Sequence, residues 1–404
     1  MNKSEAKYIG DLKLLAFTDS EQCLSGLDVD IAEYDEAIAD CMGMLDYSIS
    51  QKNKAEIKFW RQQLQKAKTG NLQELLKTLP KNVAILDSYS KAYSILCTHK
   101  YKKALCSVSG GADSDLILDI CARLDIDKII DYVWFDTGVE FNATKEHLKY
   151  LENRYNITIR RERPKKPVPL ACKECGQPFL SKYISEMIGR LQQHDFKWED
   201  KPLEVLLKEY PNCNSALRWW CNEKGEDSKF GISRNKYLKE FMTEHPPTFR
   251  ISNKCCNYAK KDVSKLLIKQ EGYELIITGV RKAEGGVRAA AYKTCFSYGK
   301  QDNYRPIFWY NNEDKKMYEQ HFNIIHSKCY TEYGLTRTGC ACCCYSRNLQ
   351  KELDVCRCYE PNLYKAVNNI FKDSYEYTKA YREYVKRRDH KPIQLNLLDF
   401  FDKE

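Results

Sequence analysis

The stretch "CSVSGGADSDLILDIC", residues 106–121, places Ser109, Gly110 and Gly111 between an apolar run, "ALCSV", and a segment whose Leu116, Ile117, Ile120 and Cys121 share one helical face. That order predicts strand, tight glycine turn, helix. The glycines let the backbone turn sharply and bring its N–H groups close to a ligand. The helix N-terminus adds partial positive charge, so the chemistry is anion binding. A glycine turn before a helix is also a plain connection; Ser109 and Ser114, which add hydroxyls around the same point, are what favour a phosphate.

Two later stretches carry groups suited to the same ligand. "FDTGVEF" supplies Asp136, Thr137, Gly138 and Glu140, and "TGVRKAEGGVRA" supplies Gly279, Arg281 and Arg288. Each follows a run that reads as a strand, and in doubly wound sheets ligands sit at the C-terminal strand ends. Asp113 or Asp136 suits Mg²⁺ on a triphosphate, because hard cations take carboxylate and water ligands. Arg281 and Arg288 suit phosphate or sulfate oxygens, which arginine meets bidentately. The plainer alternative makes Asp136 a turn cap and the arginines solvated loop residues.

Cysteine is the other reactive residue type, with 19 in the chain. The N-terminal "MNKSEAKYIGDLKLLAF" has no long apolar stretch or small-residue cleavage site, and no run of about 18 apolar residues occurs anywhere. The expectation is a cytosolic protein with no membrane span, where clustered cysteines mean metal or redox chemistry more than disulfides. "SNKCCNYAKK" gives Cys255 and Cys256; after 83 intervening residues "RTGCACCC" gives Cys340, Cys342, Cys343 and Cys344. Four thiolates suit a 4Fe–4S cluster, and adjacent cysteines can ligate different irons of one cube. Tetrahedral zinc usually draws on two separated knuckles, so the CC pair favours iron–sulfur. Lys254, Lys260, Arg337 and Arg347 flank these thiols and could offset their charge. Cys172 and Cys175 ("CKECG"), with Cys213 and Cys221, form a second set that reads either as a structural Zn²⁺ site or as unligated cysteines.

The elements that must position these groups follow from periodicity. Residues 1–80 read as a helical N-terminal region. Residues 81–365 read as an α/β domain in which "KALCSVS", "KIIDYVWFDTG", "ITIRRERP" and "ELIITGV" are strands, with an insertion at about 166–250. Residues 366–404 read as a basic helical region with an apolar tail. The net charge of +9, from 65 Lys+Arg against 56 Asp+Glu, is compatible with a polyanionic partner. Tyr183, Trp198, Tyr210, Trp219 and Trp220 in the insertion could stack bases, but ordinary core is the commoner meaning of such aromatics.

"SGGADS" resembles the PP-loop of the ATP pyrophosphatase superfamily. Together with "FDTGVEF", "TGVRKAEGGVRA" and "RTGCACC" it is similar to the phosphoadenosine phosphosulfate (PAPS) reductase family, over roughly residues 85–365. The resemblance implies a doubly wound, mostly parallel α/β sheet of the adenine nucleotide alpha hydrolase type, with helical N- and C-terminal additions. It implies an adenine nucleotide, ATP with Mg²⁺, with Ser109, Gly110, Gly111, Asp113 and Ser114 around its phosphates; Asp136, Gly279 and Lys182 of "GQPFLSK" are further nucleotide-binding candidates read from the residues themselves. Asp113, Asp136, Arg281 and Arg288 would be catalytic. Ala112 stands where many superfamily loops carry lysine. The cysteine pattern resembles the adenylyl-sulfate reductase branch and the DNA phosphorothioation iron–sulfur protein, which implies Cys255, Cys256, Cys340 and Cys343 as the 4Fe–4S ligands.

Three activities stay open on these residues. One is cleavage of ATP between the α and β phosphates, with adenylyl transfer to an acceptor that sulfur then displaces; in this family such chemistry underlies sulfur insertion into DNA or RNA, with a sulfur donor protein as partner. A second is a sulfonucleotide (adenylyl-sulfate or PAPS) reductase releasing sulfite. Those reductases resemble one another in a C-terminal "ECG"-type cysteine, and here only Cys356 and Cys358 come late, in a different context. A third is a non-catalytic nucleotide- or redox-sensing subunit. Gln394, Leu397, Phe400 and Phe401 fit Q-x-x-L-x-x-F-F, which resembles a sliding-clamp-binding peptide; the alternative is packing of these apolar residues on the protein's own core.

Overall fold

The run "ALCS" does form a strand. The computed structural model describes residues 72–96, 101–125, 128–228, 230–285 and 291–389, with Met44 and Ala55. In chain order the elements used below are α1 (Val83–Leu96), β1 (Ala104–Ser107), α2 (Ala112–Leu124), β2 (Ile130–Phe135), α3 (Asn142–Tyr155), β3 (Ile159–Glu162), α4 (Val168–Cys175), α5 (Lys182–Gln193) and α6 (Leu238–Glu244). They continue with α7 (Asp262–Glu271), β4 (Leu275–Ile277), β5 (Phe296–Ser297), β6 (Asp302–Tyr304), α8 (Asn312–His321), α9 (Leu349–Tyr359), α10 (Pro361–Ile370) and α11 (Lys372–Asp389).

The six strands make one sheet in the order β3-β2-β1-β4-β6-β5. β1 pairs in parallel with β2 (Ala104 opposite Ile130) and with β4 (Ala104 opposite Leu275), and β4 pairs in parallel with β6. The short β5 is antiparallel to β6. The chain therefore winds outward from β1 in both directions, the doubly wound α/β arrangement. Leu105 and Cys106 on β1 are fully buried, as are Leu116, Ile117, Ile120 and Cys121 on α2. Residues 72–78 are helical; residues 1–71, apart from Met44 and Ala55, lie outside the described residues, as do Arg288 and the tail residues Gln394, Leu397, Phe400 and Phe401.

The chain divides into two units. One holds the residues up to Trp134, Ala143–Arg161 and Leu267–Glu332; the other holds Phe135–Asn142, Glu162–Leu266 and Tyr333–Glu404. The first is built on the sheet and its helices. Asp119, fully buried on α2, accepts hydrogen bonds from Tyr155 of α3 (2.7 Å) and Tyr318 of α8 (2.5 Å) and pairs with Arg123. One carboxylate thereby fixes two helices against the helix that follows the glycine loop, and its partners offset the cost of burying it.

The second unit has an aromatic core. Trp198, Trp219 and Trp220 are buried with Phe179, Phe196, Phe241 and Tyr381, and Trp220 donates its indole N–H to the Glu199 carbonyl (3.0 Å). Three of the five insertion aromatics are thus core, as their commoner meaning suggests, while Tyr183 is exposed and Tyr210 packs edge-on against Phe196. Among the described residues no helix is long and apolar enough to cross a membrane.

Candidate functional site

In the first unit, Gly110 sits at φ +65°, left-handed backbone that favours glycine, and a Cβ there would lie 2.8 Å from Thr144 Cγ2. The turn ends at Gly111, the N-cap of α2, where no side chain caps the helix. Ser109 donates its amide to Ser114 Oγ (2.8 Å), so Ser114 closes the loop on itself. Ala112 donates its amide to the Tyr330 hydroxyl (3.1 Å). The amides of Gly110 and Gly111 donate no hydrogen bond to the described residues. Those two donors, on a helix N-terminus, are what an anion needs.

Charge converges on the same turn. Asp113 Oδ1 is 3.0 Å from Arg281 Nε and 2.6 Å from Lys315 Nζ on α8. Arg281 is buried and fixed further by the Tyr310 carbonyl and Asn312 Oδ1 (3.1 Å). Gly279 lies directly under the loop: a Cβ on it would come within 2.9 Å of the Asp113 carbonyl oxygen. Gly279, Arg281, Asp113 and the loop are therefore one assembly, as the sequence suggests.

Behind them, Asp115 Oδ2 takes His326 Nδ1 at 2.7 Å and lies 3.0 Å from His147 Nε2, while His326 Nε2 meets Glu319 Oε1 at 2.8 Å. Burial opposes a charge on His326, but the hydrogen bonds to Asp115 and Glu319 outweigh it and raise its pKa to about 9. Lys315, His147, His326 and Tyr330 are not legible in any local motif.

The second unit contains Asp136, Lys182 and the thiols. Asp136 is buried; its carboxylate accepts the Gly138 amide (2.9 Å), the turn-capping role that was the plainer alternative. Thr137 donates to Glu140 (2.7 Å) and accepts from Cys340 Sγ (3.4 Å), and Ala341 donates its amide to the Val139 carbonyl (2.7 Å). "FDTGVEF" is therefore bonded to "RTGCACC".

Cys172 and Cys256 both meet Cys255, while Cys340 and Cys343 interact electrostatically with Cys256. The hydrogen bond with Cys172 pushes the Cys255 thiol up, the one with Cys255 pushes Cys256 up, and burial raises Cys343. Burial also raises Cys340, to about 11, against the opposing effect of Lys260. Lys260 is the cation set among them. Burial opposes its charge, yet Cys340, Glu140, Cys256 and Cys343 hold its pKa above the usual lysine value. Cys256, Cys340 and Cys343 are half-buried and Lys260 is exposed. Lys182 faces Cys256, whose thiol it favours in charged form. Of the other flanking cations, Arg337 lies near Glu352 instead.

Cys172, Cys175, Cys213 and Cys221 are not brought together. Cys213 directs its Sγ to the Arg190 carbonyl and Cys221 to the Lys201 carbonyl, around the aromatic core, whereas Cys172 joins Cys255. Among the described residues no three His, Cys, Asp or Glu side chains close to the spacing of a single metal ion. A four-iron cube spreads its thiolates farther apart than one ion does, and Cys255, Cys256, Cys340 and Cys343 supply the donor type and number it takes.

A glycine loop with open amides at the C-terminal edge of a parallel sheet, met by an arginine and a lysine, is an α/β arrangement suited to an anion. Residues 103–186 match the model of the phosphoadenosine phosphosulfate reductase domain. The chain is 26% identical over 195 residues to an uncharacterized protein of Methanocaldococcus jannaschii, covering 44% of this chain and 36% of that protein. It thus spans little more than a third of that curated relative. Two solved structures align with it: PAPS reductase from Candida auris in a phosphate complex (13% identical, 67% of this chain and 94% of that one, TM-score 0.34) and NH3-dependent NAD synthetase from Campylobacter jejuni (12% identical, 73% and 94%, TM-score 0.32).

Proposed function

We propose that this chain binds ATP at the Gly110–Gly111 turn and cleaves it between the α and β phosphates, transferring the adenylyl group to an acceptor from which sulfur then displaces it. An acceptor oxygen attacks the α-phosphorus, the α–β bridging P–O bond breaks, and pyrophosphate departs with the bonding pair. A sulfur nucleophile then takes the acceptor's carbon or phosphorus and AMP leaves with its oxygen. The observation that carries this reading is the convergence of Arg281 and Lys315 on Asp113 beside two open loop amides. Donors preset around a leaving pyrophosphate stabilise the charge that develops on it. Ser114 and Gly279 hold the turn, and His326 holds Asp115 and Glu319 behind it.

Cys255, Cys256, Cys340 and Cys343 would hold the cluster, with Lys260 offsetting its negative charge. When bound, a 4Fe–4S cluster supplies electron transfer or sulfur handling, and Mg²⁺ supplies neutralisation of the phosphates. DNA or RNA is the acceptor class this reading favours, with a sulfur donor protein as partner.

Incubating the anaerobically prepared protein with Mg²⁺ and ATP labelled at the α-phosphate is expected to yield labelled AMP or an adenylylated acceptor. Reductant-dependent sulfite release from adenylyl sulfate or PAPS, without ATP cleavage, would replace this reading with the reductase. Tight nucleotide binding with neither product would leave a sensing subunit.

A further inference from the structure

The loop "SGGADS" contains no cation, so positive charge for a phosphate has to come from elsewhere in the fold. Two cations share one carboxylate oxygen of Asp113, at 3.0 Å and 2.6 Å, so displacing that carboxylate frees both for another anion. Their mobility differs. Arg281 is held on its other side by Tyr310 and Asn312, whereas Lys315 is a flexible four-carbon stem based on α8. The helix itself is anchored, because Tyr318 bonds Asp119 one turn further on. Glu319, the second acid near Lys315 at 3.6 Å, is engaged by His326 at 2.8 Å. A partly buried ammonium is thus held at Asp113, two residues after Gly111 in the same turn, restrained chiefly by that one carboxylate.

We propose that Lys315 is the cation that receives the terminal phosphates of the nucleotide at this turn, and that Asp113 occupies its ammonium until a phosphate oxygen replaces the carboxylate. This rests on the reading of the first unit as an ATP site, and deepens it by assigning the β- and γ-phosphate contact to a helix 202 positions away from Asp113. The ligand chemistry is a pyrophosphate moiety, free or within ATP; AMP, which lacks it, gains nothing from Lys315.

The test is calorimetric titration of the full chain with AMP, inorganic pyrophosphate and ATP, for the wild type, Lys315→Met, Lys315→Arg and Asp113→Asn. Lys315→Met is expected to weaken ATP and pyrophosphate by about tenfold to a hundredfold, the usual worth of a charge-assisted contact, and AMP by less than about twofold. Lys315→Arg recovers part of that loss. Asp113→Asn, titrated with pyrophosphate without Mg²⁺, tightens binding because the competing carboxylate charge is gone. Unchanged ATP and pyrophosphate affinity in Lys315→Met, or an equal loss for AMP, overturns the assignment; weaker pyrophosphate binding in Asp113→Asn overturns the placeholder role. A wild type that shows this pattern without hydrolysing ATP sinks the proposed reaction and keeps the inference. A Lys315→Met enzyme that binds and cleaves normally does the reverse, and a wild type that binds neither ATP nor pyrophosphate removes both.

Discussion

In the first unit the charged groups are already paired with one another: Asp113 with Arg281 and Lys315, and Asp115 and Glu319 with His326. In the second unit Cys255 and Cys256 have their thiols pushed up by hydrogen bonds to neighbouring cysteines, and Cys340 and Cys343 have theirs pushed up by burial, with one lysine, Lys260, interacting with Cys256, Cys340 and Cys343. A phosphate entering the first region exchanges one anion for another and meets donors already aimed. A cluster entering the second must displace protons from buried thiols, so metal binding and the packing of that unit are linked. On the proposed function, the contrast is between an anion site formed in advance and a site whose ligand completes it.

The largest effect expected is on metal. Replacing Cys256 or Cys340 by Ser should abolish iron binding and the brown absorbance of anaerobically prepared protein, while Cys213→Ser and Cys221→Ser leave iron content unchanged; iron analysis beside the absorbance scan decides. Equal loss in all four variants would mean that the contrast is drawn at the wrong cysteines. Next in size, Trp220→Ala should cost about 3–5 kcal/mol in denaturant unfolding, since it empties the centre of the aromatic core. Gly110→Ala should cost about 1–3 kcal/mol from left-handed strain and the approach to Thr144, and should remove ATP binding while sparing iron.

The smallest effect is on pH. His326 has a folded pKa of about 9, above its ordinary value near 6.5, so its stabilising contribution is complete below about 6.5 and is lost as pH rises through about 9. The groups facing it are Asp115 and Glu319, with His147 on the same Asp115 oxygen and Lys315 beside Glu319. Thermal stability should therefore fall between pH 7 and 9.5, and His326→Gln should flatten that fall; a fall of the same size in the variant would assign it to other groups.

The glycine loop is legible because strand, turn and helix are encoded within 16 residues, and every apolar position read onto the face of α2 is buried. The parallel sheet is legible for the same reason, from local alternation of strand and helix. Lys315 is not, because it reaches Asp113 only through the docking of α8, which a buried tyrosine–aspartate hydrogen bond secures. Cysteine spacing within the insertion gives no hint that Cys172 joins Cys255 while Cys213 and Cys221 bond to carbonyls around the tryptophans. Type and count suggest a ligand set; only the fold sorts its members.

The most direct test of the central claim follows the fate of phosphorus when the intact protein is incubated with ATP and Mg²⁺. Phosphorus NMR should show pyrophosphate appearing as ATP disappears, with no orthophosphate and ADP, and Gly110→Ala should abolish it. Release of orthophosphate and ADP instead, or pyrophosphate formation that survives in Gly110→Ala, would contradict α–β cleavage at this loop.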